Sequence, residues 1–157
     1  MITMPTVQNH PVTSSNSLYD QDFYQWLMIT VKLLQERAIE QIDIDNLIKE
    51  LEETAKRTQI TVKSNLRVLL MNLLQYKYQP SVRCETYQSS LLKHRLRILD
   101  IFAQSPSLKP YYTEVFDQCY LYARKCAVTQ TNLPLELLPE TCPFTQEETL
   151  NLDYLPQ

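Results

Sequence analysis

The chain has 157 residues, 44% of them hydrophobic and 21% charged, with a formal net charge of −3. That is enough for one domain with a real core, in an ordinary globular balance. Glycine is absent, although average usage of roughly 7% would supply about eleven. No Walker loop, dinucleotide-binding G-x-G-x-x-G, G-x-S-x-G elbow or EF-hand loop can therefore be present, because each needs positive φ or a ligand against bare backbone.

Residues 1–17 contain no Lys, Arg, Asp or Glu and carry Pro5 and Pro11. They read as a disordered polar tail, in which Met4 offers a second start. A secretory signal would need a basic start and about 7–15 apolar residues, and neither is found. No window approaches ~18 uninterrupted apolar residues, so no membrane span is expected. Cys84, Cys119, Cys126 and Cys142 form no C-x-x-C pair. Cys119 and Cys126 fall on one helix, about 10 Å apart along its axis, too far for a disulfide. Reduced thiols in a cytoplasmic setting are the expectation.

The first predicted helix spans Asp20 to Arg37, with Phe23, Leu27, Thr30, Val31, Leu34 and Ala38 on one stripe. Ser17 and Asp20 are its candidate caps, and Asp20 and Asp22 suit its positive end. After a link at Glu40–Asp43 comes the longest element, Asp45 to Tyr78, in which Leu47, Leu51, Ala55, Thr58, Val62, Leu66, Leu69 and Leu73 keep step. Unbroken, it would span about 50 Å, so it must bend near Thr58–Thr61 or project against something else. Pro80 ends it. A third helix fits Cys84 to Gln104. The fourth runs from Leu108 to about Gln130, with Ser107 as cap and Pro110 in its first turn. Asn132 is the available substitute for a left-handed terminal glycine. From Leu133 the chain is proline-punctuated, and Thr145-x-x-Glu148 has the spacing of a capping box for one short helix. The apolar residues of this stretch make it an extended strap over the bundle. The expected fold is a single all-α domain over residues 18–157: a bundle of about four helices, one unusually long, closed by that strap.

Charge is segregated. Residues 1–55 carry a balance of −6, residues 56–97 of +8 and residues 98–157 of −5. Arg57, Lys63, Arg67, Lys77, Arg83, Lys93, Arg95 and Arg97, with Tyr76, Tyr78 and Tyr87 interleaved, form the belt that phosphate contact would require. Pairing with the acidic flanks, in one fold or across a dimer, explains the same belt. The sequence pI near 5.4 favours that pairing, since nucleic-acid domains usually lie above about 9.

Arg95 stands out because a 100° wheel puts it among Leu91, Ile98, Leu99 and Phe102, in the middle of an apolar face. A guanidinium there needs a carboxylate or several carbonyls, because an unpaired buried charge costs several kcal/mol. Asp22, Glu50 and Glu52 are candidate partners, in a structural bridge or in a small-anion or enzyme site with Tyr87 beside it. A di-metal carboxylate bundle would need Glu-x-x-His pairs. Glu50-x-x-Glu53 lacks the histidine, and His94 stands between Lys93 and Arg95 with no further ligands, so no metal or cofactor is expected. Ser89, Ser90 and His94 do not amount to a catalytic set, since hydroxyls on a helix are commonplace.

Leu18 to Trp26 (LYDQDFYQW), Leu47 to Glu52 (LIKELE), Leu66 to Pro80 (LRVLLMNLLQYKYQP), Ser105 to Pro110, Leu133-Pro134 and Asp153 to Pro156 occur here in order. As a series this resembles the bacterial, largely cyanobacterial, domain of unknown function 29 family over about residues 18–156. Where members often have histidine after the methionine of the long helix, this chain has Asn72. It has Asn132 for a common glycine and Tyr87 for a common tryptophan, while Arg95 falls where arginine is frequent. The resemblance implies an all-helical fold and a bacterial cytoplasmic setting, and no activity.

Three functions compete. The first is a non-enzymatic interaction module, a homodimer or a partner for another protein through the exposed part of the long helix. Whether the stripe past Thr58 has an intramolecular partner discriminates it. The second is a nucleic-acid or polyanion binder through residues 56–97. The third is the site centred on Arg95.

Overall fold

The computed structural model describes residues 17–157, so the tail expected over residues 1–17 lies, all but Ser17, outside the described residues. Among these the structure is all-α: α1 (Leu18–Gln21), α2 (Phe23–Gln35), α3 (Ile44–Tyr78), α4 (Glu85–Gln104), α5 (Lys109–Thr131) and α6 (Gln146–Leu150), joined by short 3₁₀ turns. They form two compact units, one ending at Glu52 and the other running from Glu53 to Gln157. The division falls inside α3, which is helical without interruption from Ile44 to Tyr78.

In the first unit, the single helix expected over Asp20–Arg37 is two helices broken at Asp22 (φ −148°, ψ 85°). Ser17 caps α1 through the amide of Asp20, and Asp22 caps α2 through the amide of Gln25. Asp22 can close one helix and open the next because its short carboxylate replaces a backbone acceptor. The helix α2 ends before Arg37. Arg37 adopts φ 58°, with Arg37 N–H donating to the Leu34 carbonyl and Ala38 N–H to that of Leu33, a Schellman closure.

In the second unit, the C-terminal part of α3 packs with α4, α5 and the strap around one core. Val62, Leu66, Leu69, Leu70, Leu73 and Leu74 are fully buried, with Leu91, Ile98, Phe116, Cys119, Tyr120, Ala123 and Ala127 beside them. A polar seam runs between α3 and α4: Asn72 Nδ2 donates to Ser90 Oγ at 2.8 Å, and Asn65 Oδ1 meets His94 Nδ1 at 2.7 Å. Asn65 Nδ2 is already given to the Thr61 carbonyl, so its oxygen is the acceptor and His94 carries its proton on Nδ1. Ser107 does not cap α5. A 3₁₀ turn over Pro106–Leu108 precedes the helix, and Leu108 at the cap position makes no side-chain bond. Asn132 ends α5 in the left-handed region (φ 55°), and Thr145 and Glu148 form the full capping box of α6.

Candidate functional site

Arg95 projects from the buried side of α4 and is 1% exposed. Its charge is met by backbone carbonyls of the strap: Nε donates to Thr149 O at 2.9 Å, Nη2 to Tyr154 O at 2.9 Å, and Nη1 reaches Leu152 O at a long 3.5 Å. The helix α6 ends after little more than one turn, and its C-terminal carbonyls are what a cation favours. Burial pulls the Arg95 guanidinium below its ordinary value, with nearby Tyr154 opposing. Two more arginines grip backbone similarly. Arg124 donates to the carbonyls of Leu138 and Leu135, and Arg83 donates to those of Tyr76 and Lys77 at the end of α3.

Beside Arg95, a cleft of about 550 Å³ opens between α4 and the strap, walled by Leu92, Leu152 and Leu155, with Glu85 and Asp153 among its lining. Arg95 forms part of this lining but is sealed behind its own carbonyl bonds. Tyr87, the other residue of the expected site, packs half-buried against the core. Glu50 accepts the hydroxyl of Tyr19 at 2.6 Å, and Asp22 caps α2, both bonds lying within residues 17–52. The Tyr19–Glu50 bond is the largest cause raising the Tyr19 hydroxyl above its ordinary range. Among the described residues, no group of three or more His, Cys, Asp or Glu is placed to hold a metal ion.

Much of the basic belt is engaged locally. Arg57 pairs with Glu53 at 3.3 Å, the Arg67 guanidinium lies 4.3 Å from the Tyr122 ring centre, and Lys77 donates to the Gln157 carbonyl at 3.0 Å. Arg83 also lies over the Tyr76 ring. Lys63 and Lys93 raise the local positive charge: Lys63 next to Cys119, and Lys93, with Arg97, next to His94. Burial, then Arg97 and Lys93, lowers the His94 imidazole below its ordinary value.

The largest chemical anomaly lies in the first unit. Past Thr58 the α3 stripe is covered, since Val62, Leu66, Leu69 and Leu73 are fully buried. Before it, Ile44, Ile48 and Leu51 are exposed. On α2, nine of thirteen residues are apolar, and they cover the helix except for a polar stripe of Gln25, Lys32 and Gln35. A helix of that kind is normally surrounded. Yet within residues 17–52 only Trp26, Thr30 and Ile42 are buried, while eleven large apolar side chains are exposed, from Leu27 at 37% to Tyr24 at 72%. A small cluster of Tyr19, Phe23 and Trp26 rings, 5.0 to 5.7 Å apart, is what this unit has in place of a core.

The sequence pointed to Arg95 through its place on the wheel, but not to Thr149 and Tyr154, because a backbone carbonyl leaves no signature in residue type. A family model described as domain of unknown function DUF29 matches residues 18–155. No curated protein and no solved structure matches the chain. Among the described residues, no helix is long and apolar enough to cross a membrane.

Proposed function

We propose, starting from a chain that belongs to the DUF29 family and whose family description assigns no activity, that it is a non-enzymatic helical interaction module that self-associates through residues 17–52. The observation that carries this reading is the exposed apolar surface of that unit. Eleven side chains at about half exposure, taking each free residue at on the order of 200 Å², offer roughly 1,000 Å² per copy. A stable interface needs about 800 Å² from each partner. A second copy is the economical occupant, because one patch then meets itself across a two-fold axis and both copies are satisfied together. The charges of the first unit, −5 over residues 1–52, fall to a solvated rim. Four free cysteines support placing this module in a reducing, bacterial cytoplasm.

Light-scattering mass, at low and high salt and before and after nuclease, tests the proposal. The expected result is a species of twice 18.5 kDa at both salts, free of nucleic acid and reduced to one copy by Ile48→Glu. A monomer overturns it. A monomer that sheds nuclease-sensitive material at high salt would transfer the function to the basic segment 56–97.

A further inference from the structure

We infer that the cleft between α4 and the strap is a docking site for a segment of another protein, one that carries apolar side chains flanked by lysine or arginine. The inference goes beyond self-association, because every residue of the site lies between Glu53 and Gln157. Leu92 on α4, with Leu152 and Leu155 on the strap, stands 38% to 43% exposed along the walls of this space of about 550 Å³. Leu96, one turn further along α4, is also exposed and carries the apolar surface past the cleft. Exposed leucines scattered singly are ordinary, but these share one concavity. The strap wall is fixed before anything binds. Arg95 holds the Thr149 and Tyr154 carbonyls, the Asp153 amide donates to Asn151 Oδ1 at 2.9 Å, and Pro156 is buried. A preformed wall spares an occupant the entropy of ordering it.

Charge decides the occupant. Glu85 and Asp153 stand exposed in the lining, and neither belongs to the two ion pairs found among the described residues. Gln88 gives its NH₂ to Tyr76 Oη at 3.3 Å, which leaves its oxygen as a third acceptor. Arg95 is 1% exposed and turned into the strap carbonyls, so it meets no occupant. Such acceptors take an ammonium or guanidinium, and the leucine walls take aliphatic or aromatic side chains. The chain's own segments fit less well. The apolar surface of residues 17–52 belongs to a unit with a balance of −5 over residues 1–52, the same sign as the cleft. On α3, Ile60 is exposed with Lys56 and Lys63 one turn to either side, but it brings a single apolar side chain to three leucines. The match is a segment that presents two or more apolar side chains on one face, laid along α4 as a helix lies in a groove.

The test follows the methyl resonances of Leu92, Leu152 and Leu155 in the full chain as an end-blocked helical peptide of leucine and lysine is added. A peptide with glutamate in place of every lysine is the control. The expected result is a saturable shift at these three leucines that the glutamate peptide does not give. Glu85→Gln with Asp153→Asn should weaken it roughly tenfold, and Leu92→Lys should abolish it at Leu152 and Leu155. All three substituted positions are exposed, and far-ultraviolet circular dichroism verifies that the variants fold. No shift, an equal shift with the glutamate peptide, or a response unchanged in the variants overturns the inference. A shift confined to residues 17–52 places the peptide on the first unit and overturns it too. Light scattering along the titration deals with the remaining occupant. A fall in mass means that the peptide displaces a second copy and overturns the foreign partner, whereas an unchanged mass sustains it. A parent protein that is monomeric before any peptide is added refutes the proposed self-association and leaves the outcome at this cleft to the resonances.

Discussion

Replacing Arg95 with methionine keeps much of the side-chain volume and removes the guanidinium that holds the strap. Two hydrogen bonds of 2.9 Å, to the carbonyls of Thr149 and Tyr154, are lost; the 3.5 Å contact to Leu152 adds little. A hydrogen bond to a charged group is worth about 1.5–3 kcal/mol, and the released carbonyls lose their partners beside a fully buried Thr149. Against this, the folded state no longer bears the desolvation of a buried cation. The expected loss is about 3–5 kcal/mol, or on the order of 10 °C in Tm for a chain of this length. Urea unfolding followed by far-ultraviolet circular dichroism measures it. Trp26 fluorescence does not serve, because Trp26 belongs to the other unit. Hydrogen exchange should show the amides of residues 149–154 losing protection before the core of α3 and α5 does. Arg95→Lys, which keeps charge without the fork, should fall between the two proteins. A methionine variant within about 1 kcal/mol of the parent, with the strap still protected, refutes the clasp.

Three other outcomes follow from the geometry. Cys84 stands at the N-terminal cap position of α4, and the amides of Tyr87 and Thr86 lower its thiol, whereas burial raises Cys119 and pushes Cys142 up to about 11. Iodoacetamide at neutral pH should therefore label Cys84 first by peptide mass, and equal rates at all three would contradict this. Thr145→Ala removes the oxygen that caps α6 and should cost about 1 kcal/mol in the same urea experiment; an unchanged midpoint would mean that the box is dispensable. His94 is held below its ordinary value in the folded protein, so the unfolded chain binds the proton more readily. Its contribution to stability is present above about pH 6.5 and is lost as pH falls through the lowered value. Urea midpoints from pH 7.5 to 5 should fall less steeply in His94→Gln, and an identical slope would place the titration elsewhere.

The helices were legible because their signals are local: apolar spacing, Asn132 at a left-handed terminus, and Thr145 with Glu148 three residues on. Arg95 was legible as a buried cation for the same reason. The break at Asp22 was not, since Tyr19, Phe23 and Trp26 keep helical spacing across it while only φ and ψ at one residue depart. The 3₁₀ turn that displaced Ser107 was equally silent, because Ser105-Pro106-Ser107 supplies two plausible caps. The division of the chain within α3 is a matter of what packs on each half of one helix, and periodicity runs through it unchanged. The cleft between α4 and the strap joins residues more than fifty positions apart, and nothing in either stretch alone points to the other.

The two left-handed residues bear on how a chain without glycine is stabilised at all. Every non-glycine residue narrows the conformations open to the unfolded chain, by about 0.4–1 kcal/mol where the native backbone accepts the side chain without strain. Part of this protein's stability therefore comes from the poverty of its denatured ensemble rather than from any contact in the fold. Arg37 and Asn132, the positive-φ residues among those described, are where that bargain is least favourable. A β-carbon in this region costs roughly 1–2 kcal/mol, less for asparagine. Glycine at position 37 would exchange strain for freedom at a modest gain, and glycine at position 132 would leave the balance near zero.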